Sequence, residues 1–99
     1  MRQITFEWDE GKNKRNKKKH NVDFNEAKSV FFDDNAQEFY DDTHSGSEER
    51  YLLLGVSGHL RILIVSYTVR TLETKTIIRI ISTRKATRKE RKEYPGGQL

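Results

Sequence analysis

The chain of 99 residues contains no cysteine. That excludes disulfides, Cys-ligated zinc and thiol catalysis, and it suits a reducing cytoplasm. Long apolar runs are missing as well. "YLLLGV" and "ILIV" are the longest, far short of the roughly 20 residues that a membrane helix needs. The opening "MRQITFEWDE" lacks the apolar centre of a signal peptide. A cytoplasmic location and no membrane partner are therefore expected. There is no zinc-binding spacing, phosphate-binding glycine loop or serine triad. Any catalysis is expected to be metal-independent acid–base chemistry without a cofactor. An array of stacking aromatics, the usual equipment of a simple RNA binder, is also lacking.

What the chain has in quantity is charge, and it is unevenly placed. Residues 10 to 20 hold Lys12, Lys14, Arg15, Lys17, Lys18 and Lys19 against Glu10 alone. Residues 79 to 94 hold seven cations against Glu90 and Glu93. Between these blocks, residues 31 to 50 hold seven carboxylates against Arg50. Two basic blocks around an acidic middle suit a polyanionic partner, although a basic run can also be a solvated face.

"QITFEW" alternates in the manner of a half-buried strand. Asp9 can cap a helix running to about His20, with Glu10 in its first turn. That helix contains no apolar residue, so it is either marginal or kept for its charges. A second helix is announced by Asp23 and Glu26 as a capping box, with Val22 placed as a staple against Ala27. Phe24, Ala27, Val30 and Phe31 give it an apolar face. "AQEFYDD" reads as a weak strand and "DDTHSGSEE" as a loop. "RYLLLGVS" and "LRILIVSYTVR" form a hairpin about residues 57 to 59, and "TIIRIIST" follows. These strands are apolar on both faces, and a single apolar helix face leaves part of the sheet for a partner to bury. Thr87 and Glu90 form another capping box and start a short C-terminal helix. The expected architecture is α+β: one domain over residues 1–94 with a small antiparallel sheet of about four strands, N-terminal helices and a short C-terminal helix. Residues 95–99 are expected to be a disordered tail.

Several residues can carry chemistry. Arg79 interrupts the isoleucines of "TIIRIIS" on the side opposite Ile78 and Ile80, and a guanidinium there requires a carboxylate or a phosphate. Glu49, Glu7 and Glu38 are the internal candidates. Strict alternation puts Ser82 and Arg84 on one side of the same strand's end, where with Lys85 they can grip a phosphate. His20, ending the polar helix after "KKK", is either a base or a cap on the last carbonyls. Glu49 and Arg50 stand at the mouth of the first central strand, where a glutamate can take a ribose 2′-hydroxyl proton. His44, in a polar loop, and His59, in a turn, have no expected role. Lys17, Lys19 and Arg88 are candidate RNA contacts. Tyr40, Tyr67 and Tyr94 are the aromatics free enough to stack a base, Tyr67 first among them.

The segments "FEWDEGKNKRNKKKHNVDFNEAKSVFFDD", "EERYLLLGVSGHLRILIVSYTVR" and "RIISTRKATRKERKEY" resemble the BrnT family over about Phe6 to Tyr94. The departures are Asn21 for a usual glycine, Asp23 for serine, Asp34 for proline and Thr83 for alanine. The resemblance implies a RelE-like fold and a ribonuclease toxin of a bacterial type II toxin–antitoxin system that halts translation. It also implies a BrnA-type ribbon-helix-helix antitoxin in a hetero-oligomeric complex, for which a heterotetramer is one option, and contact with operator DNA only through that antitoxin. The family does not settle catalytic roles. The residue chemistry offers Glu49 or His20 as base, Arg79, Arg84 and Lys85 as phosphate clamps, Arg50 or a protonated lysine for the leaving oxygen and Tyr67 for stacking. The alternatives are a non-catalytic basic nucleic-acid-binding module and a protein-interaction domain.

Overall fold

The structure is a computed structural model and describes residues 3–95. Strand β1 (Gln3–Glu7) leads into helices α1 (Glu10–His20) and α2 (Phe24–Val30). Strands β2 (Gln37–Tyr40), β3 (Tyr51–Val56), β4 (Ile62–Thr71) and β5 (Lys75–Lys85) follow, then helix α3 (Arg88–Arg91). The strands form one sheet in the order β1-β5-β4-β3-β2. The class is α+β as expected, but the sheet has five strands and is mixed, because β1 joins β5 in parallel. Phe6 then lies beside Ile78, so the apolar side of β1 continues the core face of β5. The proposed tail falls at 96–99 outside the described residues, and Pro95 is the last described residue.

The helix ends follow their local chemistry. The Asp9 carboxylate accepts from the amides of Gly11 and Lys12 at 2.7 and 3.2 Å, and Asn21 closes α1 in the left-handed region with φ 58°. Asparagine is among the few non-glycine residues that adopt this conformation readily. Thr87 and Glu90 form the reciprocal capping box. The expected box at α2 is only half made. Asp23 accepts from Asn25 at 2.8 Å, but Glu26 turns inward instead. It accepts from Ser57 at 2.6 Å and from the Arg61 guanidinium, and stands 3.2 Å from His59. Burial disfavours its charge, and the bonds from Arg61 and Ser57 more than offset that, holding its carboxyl below the usual range.

The two faces of the sheet are covered differently. On one, Val22, Phe24, Ala27 and Val30 pack onto Leu53, Leu63, Val65, Tyr67, Ile78 and Ile80. On the other, Leu54, Ile62 and Ile64 are covered at one end by Ala86 and Tyr94. Tyr94 is tied down by its hydroxyl, which donates to Asp33 at 2.7 Å. The chain's own C-terminal segment thus covers apolar surface that the sequence left for a partner.

Helix α1 is held by two buried asparagines rather than by apolar side chains. β1 ends opposite Arg79, so among the described residues the last part of β5 has no strand on that side. α1 lies there and supplies a side-chain acceptor to that edge. Asn16 Oδ1 accepts from the Thr83 amide at 3.0 Å, and its Nδ2 donates to the Val22 carbonyl at 3.0 Å. Asn13 Oδ1 accepts from the Phe24 amide at 2.9 Å. A polar helix is therefore well placed here, because a strand edge needs hydrogen-bonding groups rather than methyl groups. The Thr83 hydroxyl beneath it is buried and has no hydrogen-bond partner among the described residues.

Candidate active site

A bulge in β5 decides which side chains reach the open face. Ser66 pairs with Ser82 but Tyr67 pairs with Ile80, so Ile81 is the extra residue. Strict alternation would leave Ser82 and Arg84 on the core side with Ile78 and Ile80. The bulge reverses the later residues, and Ser82 and Arg84 share a face with Arg79 instead. A β-bulge commonly re-aims side chains in this way.

That face carries an open cleft of about 390 Å³. Its floor is Leu52, Ile64, Ser66 and Ser82. His20 comes to it from the end of α1, Arg84 from β5 and Arg50 from the start of β3. Asp41 and His44 enter from the loop between β2 and β3. The loop is fastened at its base, where Ser45 Oγ donates to the Asp41 carbonyl at 2.7 Å and accepts from the Arg50 amide at 2.9 Å. A wider hollow of about 710 Å³ lies beside Lys17, Asp23, Glu26, His59 and Arg61. Its central acid, Glu26, is already committed to Arg61 and Ser57, so the cleft is the better candidate for chemistry.

The two arginines of the cleft differ. Arg84 forms a bidentate pair with Glu90, Nη1 to Oε1 at 2.7 Å and Nη2 to Oε2 at 2.9 Å. Arg50 makes no ion pair among the described residues, so its charge is available to an anion. The Arg84 guanidinium holds the Glu90 carboxyl at about 2, far below its usual 4.5. Because folding lowers this pKa, the pair's stabilisation is complete above about pH 4.5 and fades as the pH falls toward 2. Urea midpoints of wild type and Glu90→Gln are therefore expected to differ at pH 6 and converge near pH 2. A constant gap across that range would show that Glu90 acts only through its helix cap.

The other residues singled out in the sequence lie elsewhere. Arg79 donates to Glu7 at 2.9 Å, and Glu7 also faces Arg70 at 3.6 Å. Lys85 pairs with Leu63 on the helix-bearing face and lines a shallow hollow with Leu60 and Arg91. Glu49 is exposed and accepts from the Tyr51 hydroxyl at 3.3 Å. Lys17, Lys19 and Arg88 are exposed on α1 and α3. Tyr67 requires correction, because it is 2% exposed within the core and cannot stack a base. Burial, and then the Glu38 carboxylate its hydroxyl donates to, push its pKa far above the ordinary value. Tyr94 is buried too, whereas Tyr40 is half exposed.

Sequence reasoning passed over Asp41, His44 and Ser66. His44 Nδ1 stands 3.0 Å from Asp41 Oδ2, and Asp41 is buried. The signal was the spacing of three in "DDTH", which lets a loop aspartate bond a following histidine. Among the described residues no three His, Asp or Glu side chains gather as a metal site requires. None of their helices is long and apolar enough to cross a membrane.

Comparison with known proteins adds a family to this geometry. The crystal structure of the ribonuclease toxin BrnT from Brucella abortus superposes with a TM-score of 0.63 at 23% identity. The match covers 86% of this chain and 99% of that one, which shows a common fold. No curated protein matches the chain by sequence. The family model for "Ribonuclease toxin, BrnT, of type II toxin-antitoxin system" matches residues 8–90, from Trp8 in front of α1 to the Glu90 that holds Arg84. The chain therefore belongs to the BrnT family of ribonuclease toxins of type II toxin–antitoxin systems.

Proposed function

We propose that this chain cuts RNA on the open face of its sheet by attack of a ribose 2′-hydroxyl on the adjacent phosphorus, without a metal ion. The observation that carries the reading is the meeting of His20, Arg50, Ser82 and Arg84 in one cleft. In this mechanism His20 takes the 2′-hydroxyl proton as general base. Arg50 and Arg84 meet the charge that develops on the phosphate oxygens, and Ser82 can donate to one of them. The cations of α1, with Lys17 and Lys19, and Arg88 on α3 guide the rest of the polyanion. Glu49 fits the base less well, since it lies against Tyr51 rather than in the cleft.

The toxin acts in the cytoplasm and is neutralised by a BrnA-type ribbon-helix-helix antitoxin, with which it represses its own operon. Exposed Ile4, Phe32 and Phe39 are apolar side chains that such a partner can cover. Incubating the purified chain with total bacterial RNA in excess EDTA, with Arg84→Ala alongside, tests the chemistry. Fragments ending in 2′,3′-cyclic phosphate are expected from the wild type and not from the variant. Intact RNA, both free and on translating ribosomes, with salt-sensitive binding retained, would instead make the protein a nucleic-acid-binding module.

A further inference from the structure

We infer that His44, with its proton position set by Asp41, is the general acid that protonates the departing 5′-oxygen. The inference rests on the proposed 2′-hydroxyl chemistry and gives its second half a residue. Cleavage of this kind moves two protons. One leaves the 2′-hydroxyl as its oxygen bonds to phosphorus; the other must reach the 5′-oxygen as the phosphorus–oxygen bond breaks. The products are a 2′,3′-cyclic phosphate and a 5′-hydroxyl, so atoms and charge balance if one group takes a proton and another gives one.

Two imidazoles line the cleft, and their surroundings differ. His20 follows Lys17, Lys18 and Lys19 in the last turn of α1 and has no carboxylate partner among the described residues. His44 has Asp41 on Nδ1, at 3.0 and 3.2 Å from the two carboxylate oxygens. A carboxylate there fixes Nδ1 as a donor and leaves Nε2 as the atom offered to a substrate.

Asp41 is itself held in place. It is 9% exposed, its amide donates to the Arg50 carbonyl at 2.9 Å, and the amide of His44 donates to Oδ1 at 3.3 Å. It is a positioning residue. The same fastening closes the loop between Asp41 and Arg50, and His44 is tied to its first residue, so the proton donor and the guanidinium belong to one closed loop. His44 has its side chain 64% exposed, and a substitution there removes no core contact.

The test compares ordinary RNA with RNA whose scissile 5′-oxygen is replaced by sulfur. A thiolate departs without protonation, so loss of the acid matters little for it. His44→Gln is expected to lower the rate on ordinary RNA by about 10²–10³-fold, within the range for general acid catalysis, but by less than about 10-fold on the sulfur substrate. Asp41→Asn is expected to show the same contrast, smaller in size, with an unchanged melting temperature for both variants. Equal loss on the two substrates, or no loss on either, would overturn the assignment and leave the ribonuclease reading standing. A wild type that cleaves neither substrate, free or ribosome-bound, would overturn both.

Discussion

Asn16→Ala is expected to cost about 3 kcal/mol of folding stability and to lower Tm by on the order of 10–20 °C. The loss does not come from packing volume. Asn16 is 7% exposed and satisfies two backbone groups, the Thr83 amide and the Val22 carbonyl, each at 3.0 Å. Truncation leaves both buried without a partner, at about 1–3 kcal/mol apiece. Substitutions at exposed positions of the same helix, Lys12→Ala or Lys14→Ala, are expected to stay within about 0.5 kcal/mol. Asn16→Asp separates the two bonds, since it keeps the acceptor for Thr83 but loses the donor to Val22 and buries a charge. Thermal melts of the four variants decide the matter. A Tm for Asn16→Ala within about 2 °C of wild type would mean that water replaces the amide and that α1 is not anchored there.

Arg50→Ala is expected to lower kcat/KM for RNA cleavage by about 10²–10³-fold, equivalent to roughly 3–4 kcal/mol of transition-state stabilisation. Its melting temperature should stay close to wild type, because Arg50 has no ion pair among the described residues to lose. Arg84→Ala gives a different pattern. Activity falls as well, but stability falls with it, since Glu90 loses both bonds of a bidentate pair. Arg50→Lys should recover only part of the loss, because an ammonium cannot reproduce two parallel donors. Single-turnover rates set beside melting curves separate the two arginines. Activity within about threefold of wild type for Arg50→Ala would remove it from the phosphate-binding group.

Much of this was readable before the fold was known, and the exceptions share a physical cause. Asp9, Asn21 and Thr87 are local signals, and each performs its local task. The apolar face of α2 and the three central strands were plain from their periodicity. The sequence leaves the polar α1 either marginal or kept for its charges, because hydropathy has no term for an unpaired strand edge. The bond from the Thr83 amide to Asn16 joins residues that only the tertiary fold brings near. Arg84 and Ser82 were placed together, but by an alternation that the bulge at Ile81 cancels. Tyr67 was misjudged because β4 is apolar on both sides, so its sequence cannot say which face Tyr67 occupies. Glu26 took Arg61 over its own helix cap, a choice decided 35 residues away. His44 and Asp41 lie in a loop whose composition says only that it is polar.

The manner of attachment of α1 has a consequence for how this protein moves. A contact made through amide bonds hides little hydrocarbon, and both the denaturant slope and the heat capacity of an opening scale with the surface it uncovers. Release of α1 from the β5 edge is thus a local event to which urea and cold are nearly indifferent. In hydrogen exchange its amides are expected to form a unit separate from the sheet. His20 leaves with it. Release of the helix would thus take the cleft apart while leaving the sheet intact.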